Sequence, residues 1–108
     1  MCIYVKRKNK EKKMIRVVAT FQLKQERIDE AIELAKELVV ATREEKGCAQ
    51  YDLAQSAREK KHLVMLEAWE TSHDLDMHMA SAHFNRLVPM LASLCTQPPV
   101  VESFEQLA

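Results

Sequence analysis

The chain has 108 residues, 47% hydrophobic and 30% charged, enough for one domain with a buried core. Lys+Arg and Asp+Glu number 16 each, and this zero net charge argues against a general nucleic-acid binder, which carries a basic excess. A single glycine, Gly47, excludes the Gly-rich phosphate loops of nucleotide-binding folds, and no apolar run approaches the roughly 20 residues that span a bilayer.

The charge is unevenly placed. Residues 1–13 hold six basic side chains against one acid, Glu11, and show no helical or strand period after Val5. They read as a disordered basic extension, with the domain running over 14–108; the sharper alternative is an arm that touches RNA or acidic lipid. The segment lacks the apolar stretch and small-residue cleavage site of a signal peptide. Cys2, Cys48 and Cys95 form an odd set without CxxC spacing, which fits free thiols in a reducing cytoplasm rather than a disulfide framework.

Residues 15–23 (IRVVATFQL) are β-branched and aromatic and read as a strand, with Val17, Ala19, Phe21 and Leu23 on one face. Over 26–46 the period changes: Ile28, Ala31, Ile32, Ala35, Leu38, Val39 and Thr42 recur at three and four, an amphipathic helix with Glu33, Glu37 and the run Arg43, Glu44, Glu45 and Lys46 on or near the wet side. Lys46 and Gly47 supply a last-turn cation and a left-handed cap. Residues 48–55 alternate as a second strand, with Tyr51 and Leu53 on one face and Cys48, Gln50 and Asp52 on the other. A polar connector over 56–61 leads to a third strand over 62–70, where Leu63, Met65, Glu67 and Trp69 share a face. Thr71 or Ser72 can cap a helical stretch over 73–95 that Ser81 and Pro89 divide or bend, and 100–106 reads as a last strand.

The order β-α-β-β-α-β predicts an α+β, ferredoxin-like antiparallel sheet with its helices on one face. The strands are apolar on both faces, so the face without helices needs cover. A second copy of the chain is the simplest cover, and a homodimer through the sheets is expected.

Functional side chains concentrate in residues 67–84. A carboxylate at Glu67, on a face otherwise made of Leu63, Met65 and Trp69, is costly to bury unpaired, which points to a raised pKa and acid/base work. A bland alternative is a strand-end glutamate tied to a helix. His73, His78 and His83 recur every five residues, about 140° apart on one continuous helix, a poor spacing for a metal, and no metal site is expected. His78 sits in the apolar stripe of Leu75, Met79 and Ala82, where a histidine is more often a packed core residue. His83 follows the break at Ser81 and can point back into the same cavity, where a histidine–glutamate pair would abstract a proton. Tyr51 is either packing or a phenol donor. No GxSxG elbow exists, and nothing near Cys48 would activate it.

Lys46-Gly47-Cys48 with Tyr51, then Glu67-Ala68-Trp69-Glu70, then Leu75 with His78, His83 and Phe84 form an ordered set. In that order and spacing the chain resembles the antibiotic biosynthesis monooxygenase domain over residues 14–107, and within it small bacterial quinol monooxygenases. The resemblance implies a dimeric α+β barrel that oxidises a quinol or polyphenolic aromatic with O2, without flavin, metal or haem, so no cofactor is expected. The implied roles are His78 or His83 as base, Glu67 as orienting partner, and Trp69, Tyr51, Phe84 and Met65 as substrate-binding walls. Nucleic-acid and membrane partners are not expected. Rival readings are an isomerase of a phosphorylated linear diketone, with Arg86 or Lys61 for the phosphate, and a non-catalytic dimeric small-molecule-binding module. A haem-degrading relative fits less well, because Gln50 and Tyr51 stand where an asparagine is needed.

Overall fold

The computed structural model describes residues 13–108. The expected basic extension therefore lies, apart from Lys13, outside the described residues. The elements run in chain order as β1 (Ile15–Gln22), α1 (Ile28–Thr42), β2 (Cys48–Gln55), β3 (His62–Trp69), α2 (Ser72–Met79), α3 (Ala82–Ser93) and β4 (Val100–Glu105). A short 3-10 turn, Gln25–Arg27, leads into α1. The sheet is antiparallel with strand order β2-β3-β1-β4. This is the split-βαβ arrangement that the alternation of periods predicts.

The helix-facing side of the sheet is built by strict alternation. Val17, Ala19 and Phe21 of β1 and Leu63, Met65, Glu67 and Trp69 of β3 are all buried. Ala31, Ala35, Leu38 and Val39 of α1 and Leu87 and Leu91 of α3 close over them. Apolar contact of this kind contributes about 25 cal/mol per Å² removed from water and accounts for the single core.

Three local features shape the ground between the sheet and the helices; the first two depart from the expected elements, and the third follows the expected break at Ser81. First, α1 ends at Thr42 rather than at Lys46, with the Arg43 N–H bonded to the Val39 carbonyl. Residues 43–47 wind as a turn in which Glu45 N–H bonds Thr42 O at 2.9 Å and Cys48 N–H bonds Glu45 O at 3.2 Å. Gly47 takes a φ of 81°, and a Cβ added there would lie 2.1 Å from Asp74 Oδ2 and 2.6 Å from Asp74 Cβ. Glycine is thus required twice at this point, by its left-handed backbone and by the close approach of α2. The Gly47 carbonyl also accepts Glu70 N–H at 2.9 Å, which fixes the turn against the end of β3.

Second, the pairing of β2 shifts between Cys48 and Gln50, so Cys48 stands opposite Trp69 and shares the face of Tyr51. Simple alternation places Cys48 with Gln50; the bulge at Ala49 reverses that. Third, the helical stretch divides at Ala80–Ser81. Ser81 Oγ accepts the Phe84 N–H at 3.3 Å and donates to the His78 carbonyl at 2.7 Å, joining the end of α2 to the start of α3. Pro89 stays inside α3 without ending it. Thr71 caps α2 by accepting the Asp74 N–H at 3.0 Å.

The opposite side of the sheet has no helix over it. Val18, Val64 and Leu66 are half-buried there by their neighbours alone, and Val100 and Phe104 of β4 are exposed. No helix of the described residues is long and apolar enough to cross a membrane.

Candidate active site

Between the sheet and the helices lies a cavity of about 170 Å³. Its wall is apolar, with Val17, Phe21, Met65, Leu75, Phe84 and Val101 among the lining residues. Three polar-bearing side chains also face it: Tyr51, Glu67 and His78. Each is placed by the elements already described. Tyr51 and Glu67 stand directly opposite each other on β2 and β3, and His78 comes from the last turn of α2.

His78 is 1% exposed. Its ring is packed at 4.7 Å from Trp69, 5.3 Å from Tyr51 and 5.0 Å from Phe84, measured between ring centroids. Burial among these aromatics pushes the imidazole below its usual pKa, against the opposing pull of Glu45. His78 Nδ1 lies 2.8 Å from Glu45 Oε2, and His83 Nε2 lies 2.6 Å from the same oxygen. A carboxylate only accepts, so His78 Nδ1 and His83 Nε2 each turn an N–H toward it. That leaves Nε2 of His78 with its lone pair free.

Glu45 is the functional residue that the sequence pattern hides, because it reads there as part of the wet side of a longer helix. The early end of α1 and the turn at Gly47 bring its side chain inward to 15% exposure. The five-residue spacing that separates His78 from His83 on a helix also loses its meaning here. It assumes one continuous helix, and the break at Ala80–Ser81 instead sets the two rings 6.2 Å apart.

Glu67 is buried to 5% exposure, and its Oε1 accepts the Trp69 indole N–H at 2.9 Å. Burial raises its pKa from 4.5 to about 7, although the indole hydrogen bond pulls the other way. The expectation that Glu67 orients a histidine needs correction: its bond goes to Trp69, and Glu45 holds the histidines. Tyr51 is likewise pushed upward, chiefly by burial and then by the Glu67 charge, and keeps its phenolic proton. Met65, Tyr51 and Phe84 line the cavity, whereas Trp69 stacks behind His78 and His83 bonds Glu45 away from the lining. No lysine or arginine lines the cavity. Arg86, considered for a phosphate, pairs with Glu37 on the exposed surface between α1 and α3. Lys61 precedes β3 and is not part of the lining either.

The family model for the antibiotic biosynthesis monooxygenase matches residues 14–89. The chain belongs to the antibiotic biosynthesis monooxygenase family. A Bacillus subtilis (strain 168) protein named "Putative monooxygenase YcnE" is 35% identical over 85 residues, 79% of this chain and 90% of the relative. A Mycobacterium tuberculosis protein named "Putative monooxygenase Rv0793" is 30% identical over 87 residues, 81% of this chain and 85% of the relative. Among solved structures, an antibiotic biosynthesis monooxygenase superposes with a TM-score of 0.83 at 35% identity, covering 87% of this chain and 99% of the other. These likenesses support an enzyme of monooxygenase type for this antibiotic biosynthesis monooxygenase domain.

Glu67 generates a stability prediction. Its folded-state pKa is raised, so the fold prefers the protonated carboxyl. The fold therefore loses stability as pH rises from about 4.5 through about 7. Glu67→Gln keeps an acceptor for Trp69 and removes the titration. Urea unfolding of both proteins across this range should show the wild type falling relative to the variant by up to about 3 kcal/mol. Parallel pH profiles would contradict a buried, titrating Glu67.

Proposed function

We propose that the protein oxidises a single-ring quinol or related phenol with O2, using His78 as the base and no added cofactor. The observation that carries this reading is a buried imidazole on an apolar cavity, with Nδ1 held by Glu45 and Nε2 free. A general base needs a fixed tautomer and a pKa low enough to be unprotonated near neutral pH, and His78 has both.

The chemistry balances as quinol plus O2 giving a hydroxyquinone plus water. The substrate itself supplies the four electrons that reduce O2. His78 Nε2 takes a phenolic proton, and Glu45 stabilises the imidazolium that results. The electron-rich anion passes an electron to O2, and the pair recombines at ring carbon. Loss of water, with the proton returned from His78, leaves the quinone. Glu67, held at Oε1 by Trp69, lines the cavity, where its protonated carboxyl would donate to a substrate oxygen. The apolar wall admits O2 and excludes water that would separate the radical pair.

Cavity size favours one ring. A volume of about 170 Å³ is close to the ~150 Å³ of an apolar cavity that accepts benzene. The absence of a cationic group in the lining gives the phosphorylated-diketone reading no support. Oxygen uptake by the purified protein, corrected for autoxidation, should be faster with benzohydroquinones than with naphthohydroquinones. His78→Ala and Glu45→Gln should each lower kcat by about 10²-fold or more, the usual contribution of a positioned base. Binding of quinol without uptake above control would sink the oxidation and leave a binding module.

A second copy covers the bare sheet in this reading. Val18, Val64, Leu66 and Phe104 make an apolar centre, with Arg16, Gln50, Asp52 and Glu102 around it on the same face. Light scattering after size exclusion should give twice the 12.5 kDa chain mass, and Leu66→Glu should shift it toward one chain. A monomeric wild type would contradict the homodimer.

A further inference from the structure

The cluster around Glu45 offers more than a tautomer lock. Glu45 Oε2, His78 Nδ1 and His83 Nε2 all lie within 4.8 Å of one another, a carboxylate and two imidazoles in one small volume. We propose that these three residues form a binding site for a divalent transition-metal ion of the zinc class.

The donor chemistry selects the ion. Two imidazoles and one carboxylate suit zinc and its neighbours, whereas calcium and magnesium take oxygen ligands. The geometry needs little change. Glu45 Oε2 now stands 2.8 Å from one nitrogen and 2.6 Å from the other, and a tetrahedral ion with bonds near 2.0–2.1 Å would hold its ligands about 3.3 Å apart. Moving the two nitrogens about 0.5 and 0.7 Å away from Glu45 Oε2 brings these two contacts to that spacing, where two hydrogen bonds now run. Three protein ligands leave a fourth position for water or another small ligand.

Access and rigidity both fit. Glu45 also lines a surface hollow with Lys46, His73, Asp74, Met77, Ala80 and Ser81, so an ion can enter from solvent without crossing the cavity. His83 is 22% exposed, while His78 is fixed by the aromatic rings around it. The ligands come from three chain segments, the turn after α1, α2 and α3, so the site exists only in the folded protein.

The ion would also change His78. Binding at Nδ1 moves the ring proton to Nε2, the nitrogen that serves as base in the proposed oxidation. Occupancy thus switches that base off, a consequence that rests on the oxidation reading, while the binding site does not.

The test is binding rather than turnover, so its failure and the failure of the oxidation reading are separate results. Untagged full-length protein is stripped with chelator and titrated with zinc by calorimetry, and with cobalt(II) by visible absorption. One zinc per chain and a cobalt spectrum of four-coordinate intensity are expected. His83→Ala and Glu45→Gln should each weaken zinc by more than the roughly 10–100-fold that loss of an outer-shell partner costs, and His73→Ala should leave it unchanged. His83→Ala alters a partly exposed residue, so a folded variant is available even if Glu45→Gln unfolds. No zinc binding by the wild type, or equal binding by wild type and His83→Ala, would overturn the site.

Discussion

A single carboxylate oxygen organises the functional half of this molecule. Glu45 Oε2 receives Nδ1 of His78 and Nε2 of His83, and without it His78 would be a desolvated ring with a polar atom unpaired among aromatics. Such a group costs about 1–3 kcal/mol when left without a partner, so the contact is a structural requirement before it is a chemical one. The rest of the local fold serves to bring Glu45 inward. Helix α1 stops at Thr42, the chain turns through Gly47 in a conformation open to glycine, and α2 packs against that glycine with no room for a Cβ. Ser81 then breaks the helical path so that His83 returns to the same carboxylate.

The electrostatics around the cavity favour neutral groups. Burial moves Glu67 upward and His78 downward, each toward its uncharged form near neutral pH. Tyr51 keeps its proton for the same reason. A cavity of this kind suits the uncharged aromatic and O2 of the proposed oxidation. On the far side of the His78 imidazole, outside the cavity, stands the Glu45 carboxylate.

Much of the fold is legible in the sequence because its signals are periodic. The alternation over β1 and β3 and the three-four spacing over α1 are repeated many times within each element, so single exceptions do not hide them. Glu67, His78, Tyr51 and Met65 are legible from the faces they share with apolar neighbours, whereas Phe84 enters only through the family resemblance. Glu45 is not, because its position depends on where α1 ends, and an amphipathic pattern carries little information about its last turn. The available signal is Gly47 two residues later, whose left-handed backbone belongs to a separate turn rather than to the helix cap. The histidine spacing misleads for a related reason: it measures angles on a helix that Ser81 interrupts. The bulge at Ala49 leaves no mark in the alternation at all, and only pairing with β3 reveals that Cys48 faces the core.

Glu45 fixes His78 with its proton on Nδ1 and its lone pair on Nε2, and the proposed chemistry depends on that tautomer. Nitrogen-15 NMR of metal-free protein labelled at histidine measures it directly near neutral pH. The expected result is a His78 ring with a protonated Nδ1 and an unprotonated Nε2, a pattern that Glu45→Gln disturbs. A His78 ring protonated on Nε2 alone, or on both nitrogens, would contradict it.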